Sequence, residues 1–357
     1  MYWSNSTVDL HVADARSLPI EDKSVHTVIT SPPYWGLRDY GTATWEGGDE
    51  ECDHLQINDT RDAAHVKQVS NAGTTKLGYK NVCGKCGAKR LDLQIGLEAT
   101  PEEYCASMVA VFREVRRVLR DDGTVWLNLG DSYSSGSRTT TPNDSFRGDT
   151  LVNTTRTPVV EGIKPKDLVG IPWRVAFALQ SDGWYLRSDI IWSKPNPMPE
   201  SVTDRPTKAH EYIFLLTKNE QYYYDADAIR EQSSTGKHTR IRSSNFKKQS
   251  QIDGRYVGGG RAETIYLDEM RNKRSVWEIS SHPYPEAHFA TYPEKLVEPC
   301  ILAGCPTGGT VLDPFVGSGT TLAVAQRLGR KGVGIDINDE YLELAQKRLS
   351  KISMPMF

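Results

Sequence analysis

Val311-Leu-Asp-Pro-Phe-Val-Gly-Ser-Gly-Thr-Thr321 runs from an apolar strand pattern into an acidic residue, then a turn of small residues, then the start of a helix. The unit continues downstream: a helix to residue 328, a second strand in Gly332-Val-Gly-Ile-Asp336 ending on a carboxylate, and a closing helix from Asp339. Strand, glycine turn, helix and strand in that order read as a βαβ unit, and a ligand belongs at its glycine turn. Gly317 and Gly319 let the backbone approach a bound molecule where a side chain would collide. Asp336 lies about 20 residues past the turn, where an acid can accept hydrogen bonds from ribose hydroxyls. The turn lacks the Lys of a phosphate-binding loop, so the pattern suits a nucleoside-type ligand and not a triphosphate. For the glycines alone, a purely structural turn is the competing reading.

The same rhythm extends upstream. Residues 7–13, 24–30, 124–129, 188–192 and 211–217 read as strands. A helix opens at Thr100 with Pro101 in its first turn and Glu103 completing a capping box. Tyr104, Met108, Val111, Phe112, Val115 and Leu119 place one apolar stripe along it, and Asp121-Asp-Gly123 reads as its stop. Further helices are expected over residues 168–180 and 293–304. Alternating strands and helices predict an α/β fold, helices on both faces of a largely parallel sheet. Residues 46–90, 134–166 and 225–274 break the rhythm: they are polar and rich in Gly, Ser, Thr or Asn, as long functional loops or insertions are. The resulting division is a catalytic half over 1–45 and 91–224, an insertion over 46–90, a second insertion over 225–275, and a ligand-binding half over 276–357.

With 25% charged and 38% hydrophobic residues, the composition is that of an ordinary soluble protein, and no apolar run approaches the roughly 20 residues of a membrane span. The start, Met-Tyr-Trp-Ser-Asn, has neither a basic region nor an apolar core of a secretion signal, so a cytoplasmic location is expected and the six cysteines are read as thiols or metal ligands. Cys52 with His54, and Cys83 with Cys86, supply four ligands of the types zinc favours and predict a structural zinc, against the alternative of reduced free cysteines in a surface insertion. Cys105, Cys300 and Cys305 sit in helical patterns and are expected to pack. The net charge of -3 hides an asymmetry: residues 230–274 carry eleven Lys or Arg against five Asp or Glu, so this stretch is +6 and the remainder -9. Arg240, Arg242, Lys247, Lys248, Arg255 and Arg261, with Phe246 and Tyr256, make it a candidate surface for DNA phosphates and base edges; a solvated loop is the alternative.

A second motif carries the chemistry. Val28-Ile-Thr-Ser-Pro-Pro-Tyr-Trp35 leads a strand into two prolines, which fix the backbone and remove two amide donors, leaving carbonyls as acceptors. Ser31 and a carbonyl of Pro32 or Pro33 could hold an exocyclic amine with its lone pair aimed at an incoming group, while Tyr34 offers a face to a base flipped out of the duplex. A rigid turn capping a buried strand is the bland reading of the proline pair alone.

Together the two motifs resemble the amino-methylating DNA methyltransferases, in particular the N4-cytosine type of the β class, in which the catalytic Ser-Pro-Pro-Tyr motif precedes the cofactor motif. The resemblance implies a Rossmann-like class I methyltransferase sheet with circularly permuted motif order, S-adenosylmethionine as cofactor and double-stranded DNA as partner. It implies catalytic roles for Ser31, Pro32, Pro33 and Tyr34, and cofactor roles for Asp313, Phe315, Gly317, Ser318, Gly319, Thr320 and Asp336. Asp14 looks like the acid near the cofactor adenine, Phe289 and Tyr292 like the segment over its methionine end, and the regions around Lys194 and His210 like the sheet near the target pocket. The alternatives are N6-adenine methylation, an RNA or protein-glutamine methyltransferase, and a nucleic-acid-binding module without activity. Such enzymes act as monomers or homodimers, some beside a cognate restriction endonuclease.

Overall fold

The computed structural model describes residues 1–36, 44–58, 75–78, 82–134, 162–233, 238–241, 251–252, 255–256, 264–268, 270–281 and 292–352. Its centre is a nine-stranded sheet. The strands are β1 Trp3–Ser4, β2 Val8–Val12, β3 Val25–Thr30, β4 Leu119–Leu129, β5 Tyr185–Ser193, β6 His210–Thr217, β7 Val276–Glu278, β8 Thr310–Asp313 and β9 Lys331–Asp336. They lie in the order β1-β2-β9-β8-β3-β4-β6-β5-β7. Pairing is parallel from β2 through β9, β8 and β3 to β4, and again between β5 and β7. It is antiparallel at β1/β2, β4/β6 and β6/β5. The strands from the start of the chain therefore enclose those from its end, as the permuted motif order implies.

Strand alternation sorts the core onto two faces. Val28, Val125, Leu127, Leu312, Phe214 and Ile335 join one buried cluster with helices α1 Pro101–Val118 and α2 Ile171–Ser181. Their neighbours Ile29, Trp126, Val311, Ile213 and Leu215 point the other way, into a cluster with α3 Glu294–Gly304 and part of α4 Thr320–Arg327. A third cluster, from β2, α4 and α5 Asp339–Leu349, covers the far end.

The start of α1 follows from its sequence: Thr100 Oγ1 accepts the Glu103 N–H at 3.1 Å. The Glu103 carboxylate returns to the Ala99 N–H at 3.0 Å, one residue earlier than a standard capping box. The end of α1 differs from expectation. It stops at Val118, and Asp121-Asp-Gly123 lies inside β4. There the β3/β4 register jumps from Val25↔Leu119 to Thr27↔Thr124, so the extra residues form an irregular bulge. Gly123 is needed in that bulge, since a Cβ there would lie 2.6 Å from the Leu119 side chain. Among the described residues no helix is long and apolar enough to cross a membrane.

Candidate cofactor and target site

The strand order reverses direction about the β8/β3 pair, and a ligand of an open α/β sheet binds outside the carboxyl ends of the strands at such a point. The two ends are tied together: Thr30 Oγ1, closing β3, donates to Asp313 Oδ1, closing β8, at 2.7 Å. Asp313 also accepts from Thr321 Oγ1 at 2.6 Å, Tyr292 OH at 2.9 Å and the Phe315 N–H at 3.1 Å. Burial pushes its carboxyl up, and those four donors oppose the shift. Asp313 is 1% exposed and fixes the turn from beneath.

Above it lies a cleft that is partly open to solvent. Asp14, Ser31, Pro33, Tyr292, Phe315, Gly317, Ser318, Thr320 and Asp336 all line it. Gly317 has φ +48°. Asp336 takes the Gly317 N–H at 3.0 Å on Oδ2 and the Asn338 N–H at 2.9 Å on Oδ1. Burial pushes the Asp336 carboxyl up to about 6, against the pull of those amides. Asp14 behaves oppositely: burial raises it, but Arg16, forked onto both oxygens at 2.6–3.1 Å, outweighs burial and holds it below the usual carboxylate range. Arg16 was not singled out in the sequence, yet it also donates to the Leu93 carbonyl at 3.0 Å, joining Asp14 to the Leu93-Gln94-Ile95 wall of the cleft.

Two residues expected at the cofactor do not line the cleft. Asp313 lies below it, as described. Gly319, with φ +78°, caps α4, and a Cβ there would stand 3.1 Å from Ala345 Cβ, so its small size makes room for α5. Phe289 lies outside the described residues, as do Arg242, Lys247, Lys248 and Arg261; Arg240 and Arg255 fall in short strands whose side chains are not described. At the described base of the basic insertion, Glu231 accepts from Arg271 at 2.9 Å and Arg274 at 2.7 Å, so part of the positive charge is neutralised locally.

Ser31 stands at the cleft mouth and begins a hydrogen-bonded series that the sequence did not disclose. Ser31 Oγ donates to Tyr34 OH at 3.3 Å, and Tyr34 OH donates to Glu211 Oε2 at 2.7 Å. Asn128 Nδ2 donates to the same oxygen at 3.1 Å, and Lys194 Nζ to Glu211 Oε1. Burial, then the Glu211 charge, pushes the Tyr34 phenol well above its ordinary value, so it remains a donor. Its ring packs on Gly130, where a Cβ would come within 2.5 Å of Tyr34 Cε2. Tyr104, from the core stripe of α1, sends its hydroxyl to the Pro33 carbonyl at 2.9 Å. Among the described residues no donor is bonded to the Pro32 carbonyl, which leaves it and the Ser31 lone pairs as acceptors beside the cleft.

The metal-ligand candidates also converge. Ligand atoms of Cys52, His54, Cys83 and Cys86 all lie within 4.8 Å of one another. Cys300 and Cys305 are buried in the core, as expected, and Cys105 is partly covered.

A family model described as DNA methylase matches residues 25–347. The chain is 42% identical over 340 residues to the type II methyltransferase M.SmaI of Serratia marcescens, covering 95% of this chain and 89% of that protein. It is 41% identical to the type II methyltransferase M.Cfr9I of Citrobacter freundii, covering 91% and 81%. Among solved structures, the PvuII DNA methyltransferase (cytosine-N4-specific) superposes with a TM-score of 0.57 at 16% identity, over 98% of this chain and 89% of that one, which shows a shared fold.

Proposed function

The chain belongs to the N6/N4 DNA methylase family, and from that premise we propose that it transfers a methyl group to the N4 amine of a flipped-out cytosine in double-stranded DNA. The cofactor of the family is S-adenosylmethionine, and the site suits it. Gly317 brings backbone to the wall of the cleft, and Asp336 presents a carboxylate at the end of β9 for ribose hydroxyls. When bound, S-adenosylmethionine supplies a methyl group on a positively charged sulfur that a nitrogen lone pair can displace.

The observation that carries the reading is the position of Ser31, on the cleft wall and at the head of the series ending on Glu211. Because Ser31 donates toward Tyr34, its lone pairs are free to accept one amine hydrogen, and the Pro32 carbonyl accepts the other. Two acceptors on the amine hydrogens turn the nitrogen lone pair out of conjugation and toward the cleft. Glu211 and Asn128 hold Tyr34, and Tyr104 holds Pro33, so the acceptors are preorganised; proximity and orientation then supply much of the acceleration. The choice of cytosine rests on Ser31, since adenine-modifying relatives generally carry Asp or Asn at that place. Arg240, Arg242, Lys247, Lys248, Arg255 and Arg261 are assigned to contact the DNA, from the local charge of +6. The type II relatives support a restriction-modification setting with a cognate endonuclease.

The test is incubation with duplex DNA and methyl-labelled cofactor, followed by digestion to nucleosides and mass spectrometry. N4-methylcytosine is expected. N6-methyladenine would overturn the base assignment, and unlabelled DNA would overturn the activity.

A further inference from the structure

The insertion between β3 and α1 holds four converging ligands that the methyl-transfer site does not use. We propose that Cys52, His54, Cys83 and Cys86 bind one zinc ion in a closed tetrahedral site, and that this metal braces residues 89–95 as a wall of the cofactor cleft.

The donor set and its spacing carry the metal. Cys52 Sγ lies 3.7 Å from Cys83 Sγ, and Cys86 Sγ lies 3.6 Å from His54 Nδ1. A tetrahedron with zinc–sulfur bonds of about 2.3 Å has edges of roughly 3.8 Å, slightly shorter where nitrogen replaces sulfur. The backbone is shaped for it. The Cys83 carbonyl accepts the Gly87 N–H at 2.8 Å and the Cys83 N–H donates to the Ala88 carbonyl at 2.8 Å, curling the Cys-x-x-Cys turn around its own sulfurs. Gly87, at φ +72°, completes that turn. Across from it, a Cβ on Gly48 would lie 2.8 Å from Cys86 Sγ, so glycine leaves the room the thiol occupies. Trp45 stacks on the His54 ring at 4.4 Å and sets its plane. With all four positions filled by protein the ion has no open coordination site and is structural.

Among the described residues this part of the chain has little apolar packing. Val82, Leu91 and Leu93 are 37–56% exposed, and buried Cys83 and Ala88 belong to none of the core clusters. A polar insertion without an apolar core needs a staple. The stapled unit leads straight into the cleft. Thr44–Glu46 pairs antiparallel with Lys89–Leu91. The chain then passes through Asp92, which accepts the Gln94 N–H at 3.0 Å, to Leu93, Gln94 and Ile95 on the cleft wall. Ile95 is anchored in the core and Leu93 is held by Arg16, so the wall is fixed at its inner end by packing and at its outer end by the metal.

The bracing half of this proposal rests on the cofactor reading above; the metal half does not. Full-length protein purified without chelator is analysed for metal by mass spectrometry, and cobalt(II) is exchanged into the site. One zinc per chain is expected, with cobalt giving tetrahedral visible bands and thiolate charge-transfer absorption. S-adenosylmethionine affinity is then measured by calorimetry on loaded, chelator-stripped and zinc-restored protein. Stripping should weaken binding about tenfold, the scale of one lost hydrogen bond, and restoration should recover it. Folded protein purified without metal, or a disulfide between these cysteines, overturns the metal site. Zinc bound with cofactor affinity unchanged on stripping overturns the bracing. Loaded protein that fails to bind the cofactor refutes the cofactor reading, while the zinc stoichiometry stands by itself.

Discussion

Lowering the pH should weaken cofactor binding through Asp336 alone among the acids of the cleft. On the proposed assignment the carboxylate is the ribose-binding form, and burial places its midpoint at about 6. At pH 7.5 it is almost fully ionised; at pH 5, one unit below the midpoint, only about one tenth is. If the protonated form does not bind, the apparent Kd for S-adenosylmethionine rises about tenfold between these values. Asp14 does not contribute, because Arg16 keeps it ionised. Tyr292 does not either, since burial and the Asp313 charge push its phenol well above the ordinary value. Titration of the ligand itself is removed by comparison with Asp336→Asn, which should bind weakly and lack the tenfold component. Calorimetry across pH 5–8 on both proteins is the assay. Stability provides an internal check of opposite sign. The folded-state value lies above the ordinary 3.8, so the native state holds the proton more tightly. The stability contributed by this group therefore increases as pH falls from about 6 toward 4, while affinity decreases. Equal pH slopes for the two proteins would refute the assignment of Asp336 to the ribose.

Glu211→Gln should leave cofactor Kd unchanged and lower kcat for DNA methylation about a hundredfold, because Tyr34 and Lys194 lose their shared anion while the cleft stays intact; single-turnover kinetics distinguish this from a DNA-binding defect. Tyr104→Phe leaves the Pro33 carbonyl without its donor and should cost about 1–2 kcal/mol of stability in a urea titration, with kcat lowered about tenfold. Gly319→Ala puts a methyl group in a left-handed conformation against Ala345 and should destabilise by about 1–2 kcal/mol, read by the same titration.

What the sequence discloses is what depends on near neighbours. The Thr100 cap, the α1 stripe from Tyr104 to Val115 and the Thr310–Asp313 strand feeding a glycine turn are local patterns, and the structure has them where the pattern places them, while Leu119 falls in β4. Asp121-Asp-Gly123 carries the same composition as a helix stop, but β3 pairing recruits it into a bulge, and no local signal separates the two outcomes. Gly319 looks like a ligand glycine because it sits in the motif; its actual neighbour, Ala345, is on another helix. The Glu211 network joins residues 94 and 177 positions from Tyr34, each ordinary in its own strand, and only the sheet brings them together. The one available clue was Glu211 near the start of the otherwise largely apolar β6. The Cys52/His54 and Cys83/Cys86 pairs, with Cys52 and Cys83 31 positions apart, were legible because ligand chemistry restricts residue type more than spacing does.

The pairing of β3 with β8 has a consequence in time. Thr30 and Asp313 are 283 positions apart, and at about 5–20 residues per second the ribosome delivers the second roughly 15–60 s after the first. Through that interval β3, with β4 on one side, keeps an open apolar edge on the other, the kind of edge that templates unwanted strand pairing. The growing chain thus completes the half that bears Ser31 and Tyr34 first. It gains the binding site for its methyl donor only when β8 and β9 slot into the waiting gap. Because slower translation lengthens that interval, it should lower the soluble yield of this protein more than that of one whose central strands are made consecutively.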